Sequence, residues 1–245
     1  MIRKEFVRIM RIWSQTLLPP VITSLLYFIV FGAFIGSQLP PIGDFSYMQF
    51  IVPGLIMMSV ITSAYTNSVS TFYFAKFVRN IEEILVSPTP DWVVIVGFVS
   101  GGVMRGLIVG VLVLAVSLLF THLTVYSTAV LLVVIILTAI LFSLAGLING
   151  VFAKSFDGIS IVPTFVLAPL TYLGGVFYSV ERFPEVWQNI SLANPVLYMV
   201  NAFRYGFLGI SDIPLWICFS VLLGMMLAFL ILVLWLFREG IGVKH

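Results

Sequence analysis

Of the 245 residues in this chain, 61% are hydrophobic and 9% charged, with a formal net charge of +2. Soluble domains carry about a quarter charged residues, so a soluble globule is excluded, and the polar connectors are too short for a separate soluble domain; residues 1–245 read as a single membrane domain. Cys218 is the only cysteine and lies in an apolar run, while His122 and His245 stand far apart, which leaves no intramolecular disulfide and no expected metal site.

The chain opens on a basic, amphipathic stretch. Arg3, Lys4, Arg8, Arg11 and Gln15 recur at helical spacing on one side, and Ile2, Phe6, Ile9, Trp13 and Leu17 on another. That pattern reads as an interfacial helix lying along the membrane surface, or more plainly as a basic topology signal. It is not a cleavable leader, because Pro19-Pro20 and a full-length apolar run follow without a small-residue exit site. A membrane-crossing helix needs about 20 mostly apolar residues, and such runs lie near 17–37, 49–72, 95–120, 127–150, 159–178 and 214–237. The expected fold is therefore all-α and polytopic, with six transmembrane helices.

Between the second and third runs, Ala75 to Asp91 is the first sizeable charged loop. Lys76, Arg79, Glu82 and Glu83 fall at three- and four-residue spacings that support a helix, Phe77, Ile81, Ile84 and Leu85 give it an apolar face, and Pro88 and Pro90 end it. Such a helix fits a groove on a partner or lies solvated at the membrane surface. In the third run, Arg105 is the one charge placed within a span. It reads either as a cavity-facing cation or as a structural arginine bonded to backbone carbonyls. Gly102, Gly106 and Gly110 share a face there and permit a tight helix contact, within the chain or across a dimer. Ser179 to Ile213 is interrupted by Glu181, Arg182, Glu185, Arg204, Pro184 and Pro195, and reads as interfacial or re-entrant helices between spans five and six, covered by protein.

Lys and Arg near the span ends set orientation. Arg3, Lys4, Arg8, Arg11, Lys76, Arg79, Lys154, Arg238 and Lys244 share one side, Arg182 and Arg204 the other. The rich side is expected to be cytoplasmic, with both termini there. Every Asp and Glu falls in a loop or flank, so no intramembrane carboxylate is left for a proton relay. The sequence has no metalloprotease, nucleophile-elbow or Walker signature. No catalytic residue and no bound cofactor are expected, and energy for uphill transport would have to enter through another polypeptide.

Five segments then carry a resemblance. Arg79-Asn-Ile-Glu82-Glu83-Ile-Leu85-Val-Ser-Pro88 is similar to the coupling segment of type-2 ABC transporter permeases, with Asn80-Ile81 where that family often has Gly-Thr. Phe50-Ile-Val-Pro53-Gly54 resembles the start of the family's second span. Pro169 to Tyr178, with Tyr172, Gly174, Gly175, Phe177 and Tyr178, followed by Phe183-Pro184, resembles its fifth-span exit. Asn194-Pro195-Val-Leu-Tyr198 and Phe203-Arg204-Tyr205-Gly206 resemble its re-entrant outer segment. In order and over the whole chain, the set is most similar to the short bacterial YadH-like branch. The resemblance implies an exporter permease in the bacterial inner membrane, acting as a homodimer on two separately encoded ATP-binding subunits that hold ATP and Mg. Arg79, Glu82, Glu83, Leu85 and Pro88 would couple to the ATPase; the fifth-span exit, with Arg105, would belong to the path or gate; and Pro184, Asn194, Pro195, Tyr198 and Arg204 would form the re-entrant segment. Membrane lipids are expected around the chain and nucleic acid is not. The rivals are an ion-coupled carrier or channel and a lipid-modifying membrane enzyme.

Overall fold

The computed structural model describes residues 2–36, 38–81, 89–180 and 184–242. It is helical, with no strand among the described residues. The chain begins with α1 (Ile2–Arg11), α2 (Trp13–Thr16) and α3 (Leu18–Tyr27), the last continuing as a π-helix over Phe28–Ile35. Then come α4 (Tyr47–Phe77), α5 (Asp91–Ser117) and α6 (Thr128–Phe152). A composite helix follows: α7 (Phe156–Val162), a π-helical turn Pro163–Leu167 and α8 (Ala168–Tyr172). The short α9 (Glu185–Leu192) and α10 (Pro195–Leu208) precede the final α11 (Leu215–Glu239).

Five helical stretches are long and apolar enough to cross a membrane: Trp13–Gly32, Tyr47–Phe77, Asp91–Ser117, Thr128–Phe152 and Leu215–Glu239. The fifth expected span, 159–178, is instead a shorter apolar helix, Phe156–Tyr172. At 1.5 Å per residue it is about 25 Å long, the lower limit for a crossing. It stops at Tyr172, short of the expected Tyr178, because Gly175 takes a left-handed backbone (φ 70°) and reverses the chain.

The bundle is built round α4, which packs against α5, α6, α10 and the first span. Of its apolar window 67% is buried, against 17% for α11 at the periphery. Ser46 starts α4 with a reciprocal capping box to Gln49. Close approach of α4, α5 and α6 depends on glycine: a Cβ on Gly102 would sit 2.2 Å from Ser68 Oγ and 2.3 Å from Ser143 Oγ. Gly106 and Gly110 likewise face Ala64 and Val60 of α4. The glycine face of the third span thus makes a contact within the chain.

Candidate functional site

Between Ile51 and Phe74, only Met58, Thr62, Thr66, Ser70 and Phe74 of α4 reach the surface. Their four-residue spacing makes one slanting strip, about 24 Å long at 1.5 Å per residue. Thr62 donates its hydroxyl to the Met58 carbonyl (2.8 Å), and with Thr66 and Ser70 it makes the strip the polar part of an otherwise buried helix. The first span and the α7–α8 helix, the two helices that pass into π-geometry, both pack on α4. Helical π-turns concentrate at functional sites.

These two helices meet in an aromatic cluster. The Tyr27 and Tyr172 hydroxyls are 2.8 Å apart, Phe177 lies 4.8 Å from Phe31 and 5.7 Å from Tyr27 between ring centroids, and Tyr172 stacks on Phe177 at 6.0 Å. Tyr178 donates its hydroxyl proton to the Tyr172 carbonyl (2.7 Å), and Tyr47, at the start of α4, donates to the Phe177 carbonyl (3.1 Å). Gly54 lets the turn approach α4: a Cβ there would stand 2.8 Å from the Val176 carbonyl oxygen. Gly174 similarly accommodates Val196 of α10. All five residues named for the fifth-span exit are therefore in or beside one cluster, together with Tyr27 and Phe31, inside the first apolar run, and Tyr47, just before the second, none of which gave a sequence signal.

Arg204 is 1% exposed and lies beneath this turn. Its Nη2 donates to the Gly175 carbonyl (2.6 Å), its Nε to the Phe50 carbonyl (3.4 Å), and its guanidinium sits 3.8 Å over the Phe50 ring. A buried cation needs such a set of acceptors. Asn194 caps α10 by accepting from Val196 N (3.0 Å) and donates to the Leu170 carbonyl (2.6 Å), with Pro195 at the first helical position. Tyr198 donates to the Leu192 carbonyl (2.6 Å), and Pro184 precedes α9. Asn201, missed in the sequence, accepts from Asp212 N (2.9 Å).

Arg105 is committed elsewhere: its Nη2 donates to the Thr16 carbonyl (2.9 Å). In a continuous helix that carbonyl would accept from residue 20, but Pro20 has no N–H, so Arg105 supplies the missing donor where α2 gives way to α3. A bond to a backbone carbonyl is the kind of contact that the structural alternative describes. Arg8 also departs from expectation. While still partly exposed, it donates from Nη2 to Glu5 (2.7 Å), Asn67 Oδ1 (3.1 Å) and Thr71 Oγ1. The Glu5 side chain is 14% exposed, and burial pushes its carboxyl above the usual range, opposed by Arg8 beside it. The amphipathic α1 is thereby pinned to α4 as well as packed on α5.

At the far end of α4, Arg79 has a left-handed backbone (φ 60°), and no other non-glycine among the described residues has a positive φ. Glu82, Glu83, Leu85 and Pro88 lie outside the described residues. No group of three metal-ligating side chains occurs among the described residues.

A model of the family described as "ABC-2 type transporter" matches residues 1–208, from α1 through α10. The chain belongs to this family. The inner membrane transport permease YadH of Escherichia coli K12 is 59% identical over 241 residues, covering 98% of this chain and 94% of that protein. The nodulation protein J of Rhizobium leguminosarum bv. viciae is 24% identical over 202 residues, 80% of this chain and 78% of that protein. The resemblance read from the ordered motifs, including the YadH-like branch, is thus borne out. An ABC-2 permease is a transport protein of the inner membrane with several crossing helices, and the family implies an ATP-binding partner subunit.

Proposed function

We propose that this ABC-2 permease is the membrane half of an ATP-driven exporter, a homodimer docked on two ATP-binding subunits that hold ATP and Mg. It crosses the membrane six times, counting Phe156–Tyr172, with both termini in the cytoplasm, while α9 and α10 form the re-entrant outer segment. The observation that carries this reading is the continuity of α4. One helix runs from the aromatic cluster at Tyr47, along an exposed hydroxyl strip, to the strained residue Arg79 that opens the coupling segment.

In this account the ATPases move the segment from Arg79 through Glu82, Glu83, Leu85 and Pro88, and α4 transmits the movement. The path for a hydrophobic, lipid-like, glycan or drug substrate runs between two copies along Thr62, Thr66 and Ser70. The cluster of Tyr27, Tyr172, Phe177 and Tyr178 closes its outer end, hinged at Gly174 and Gly175. Arg204, Asn194 and Tyr198 hold the outer segment in place. Arg105 borders the path as a brace of the first span rather than as a substrate contact.

Co-expression with an ATP-binding subunit tests the partnership. The wild-type permease is expected to retain the ATPase in detergent, and Glu83→Ala with Leu85→Ala to lose it. A wild-type permease that retains no ATP-binding subunit, or that moves substrate without one, favours an ion-coupled carrier instead.

A further inference from the structure

At the Arg79 end of the bundle, the last turn of α4 meets the end of α6 and the link from α6 to α7. Lys76, on the last turn of α4, donates from Nζ to the carbonyls of Val151 (2.8 Å) and Ala153 (3.4 Å). Carbonyls at a helix end lack partners within the helix, and a cation there is favoured by the helix dipole. Two of the ammonium protons are thereby used and the group is fixed in place. Lys76 and Lys154 line one cavity of about 230 Å³ together with Tyr73, Phe77 and Ala153. No carboxylate belongs to that lining, and neither lysine has an acidic partner among the described residues. Against the cavity, Phe156 packs edge-on to Tyr73 at 5.0 Å and to Phe77 at 5.1 Å. Phe77 and Phe156 remain 61% and 51% exposed.

Two ammonium groups that face one cavity with no carboxylate in its lining call for an anion, since like charges held together repel. An apolar aromatic ledge at the ends of two spans calls for acyl chains or another apolar group. A free inorganic anion leaves the ledge uncovered, whereas a phospholipid supplies both parts at the right depth. We propose that this corner is a binding site for an anionic phospholipid, its phosphate between Lys76 and Lys154 and its acyl chains along Phe77 and Phe156. This rests on the orientation proposed above, which places the corner at the cytoplasmic leaflet. The bound lipid joins the end of α4, which leads into the coupling segment, to the α6–α7 link. Anionic lipid then acts as a regulator of coupling, stiffening both connectors against the ATPase.

The purified permease, equilibrated with mixed phosphatidylglycerol and phosphatidylethanolamine and read by native mass spectrometry for retained lipid, tests this without any ATPase. Wild type is expected to retain phosphatidylglycerol preferentially, and Lys154→Glu to lower that preference at least about fivefold, with Phe156→Ala weakening retention of both lipids. Added inorganic phosphate should leave retention unchanged. Equal retention of the two lipids by wild type, or a preference untouched by Lys154→Glu, overturns the site, and displacement by inorganic phosphate makes it a free-anion site instead. If Lys154→Glu releases a co-purifying ATP-binding subunit while lipid preference persists, the surface is a protein contact and the proposal fails. Because lipid retention is read on the permease alone, failure of the ATPase to associate strikes the exporter reading and not this one.

Discussion

Two arginines in this bundle are placed by backbone carbonyls. Arg204 collects the Gly175 and Phe50 carbonyls, and Arg105 completes the Thr16 carbonyl that Pro20 cannot serve. Arg204→Met, which keeps the length but removes the donors, is expected to cost about 2 kcal/mol or more and to lower the midpoint of thermal unfolding in detergent; an unchanged midpoint would show that water fills its place. Gly102→Ala drives a methyl into Ser68 and Ser143, with an expected loss of about 1–3 kcal/mol seen as a lower unfolding temperature. The sequence marked Arg105 as the one charge within a span and Arg204 as a residue that interrupts the segment after the fifth run, and Pro19-Pro20 was visible too. That Arg105 would serve the proline gap was not legible, since it joins residues 89 apart in sequence. Arg8 was assigned to the polar face of α1 by spacing alone, and its hydrogen bonds to Asn67 and Thr71 are tertiary contacts that helical periodicity does not encode.

Whole elements were more legible than their ends. Hydropathy found five helices of spanning length and the shorter apolar helix, yet that shorter helix ends at Tyr172 because Gly175 reverses the chain, and the first span breaks at Leu17 where prolines remove its donors. The π-turns over Phe28–Ile35 and Pro163–Leu167 have no signature in apolar periodicity. On the account proposed here they give the first span and the α7–α8 helix freedom to shift past each other when the Tyr27–Tyr172 pair opens. Tyr27→Phe, which removes that hydroxyl pair but keeps the ring stacking, is expected to raise basal ATP hydrolysis of the assembled transporter with little change in stability. Arg79 offers a sharper test. A non-glycine residue in the left-handed region costs about 1 kcal/mol or more, so Arg79→Gly should hold or raise the unfolding temperature of the permease while lowering substrate-stimulated ATP hydrolysis. A loss of both would make Arg79 a structural residue of the α4 terminus.

For the molecule as a whole, α4 is the one helix that touches every proposed function, and its exposed strip is what the sequence concealed. Thr62, Thr66 and Ser70 are unremarkable in a chain rich in Ser and Thr, and only the burial of their neighbours singles them out. The most direct test is cysteine accessibility at Thr66 in the assembled, membrane-embedded transporter, with Cys218 replaced by serine and Val111→Cys on the outer face of α5 as the lipid-facing control. A charged, membrane-impermeant thiol reagent applied from the ATPase side is expected to modify Thr66→Cys without nucleotide and to do so at least about tenfold more slowly when ATP is trapped, about 1.4 kcal/mol in the accessible population. Modification of Thr66→Cys no faster than of Val111→Cys, or at a rate indifferent to ATP, would contradict an ATP-driven path along α4.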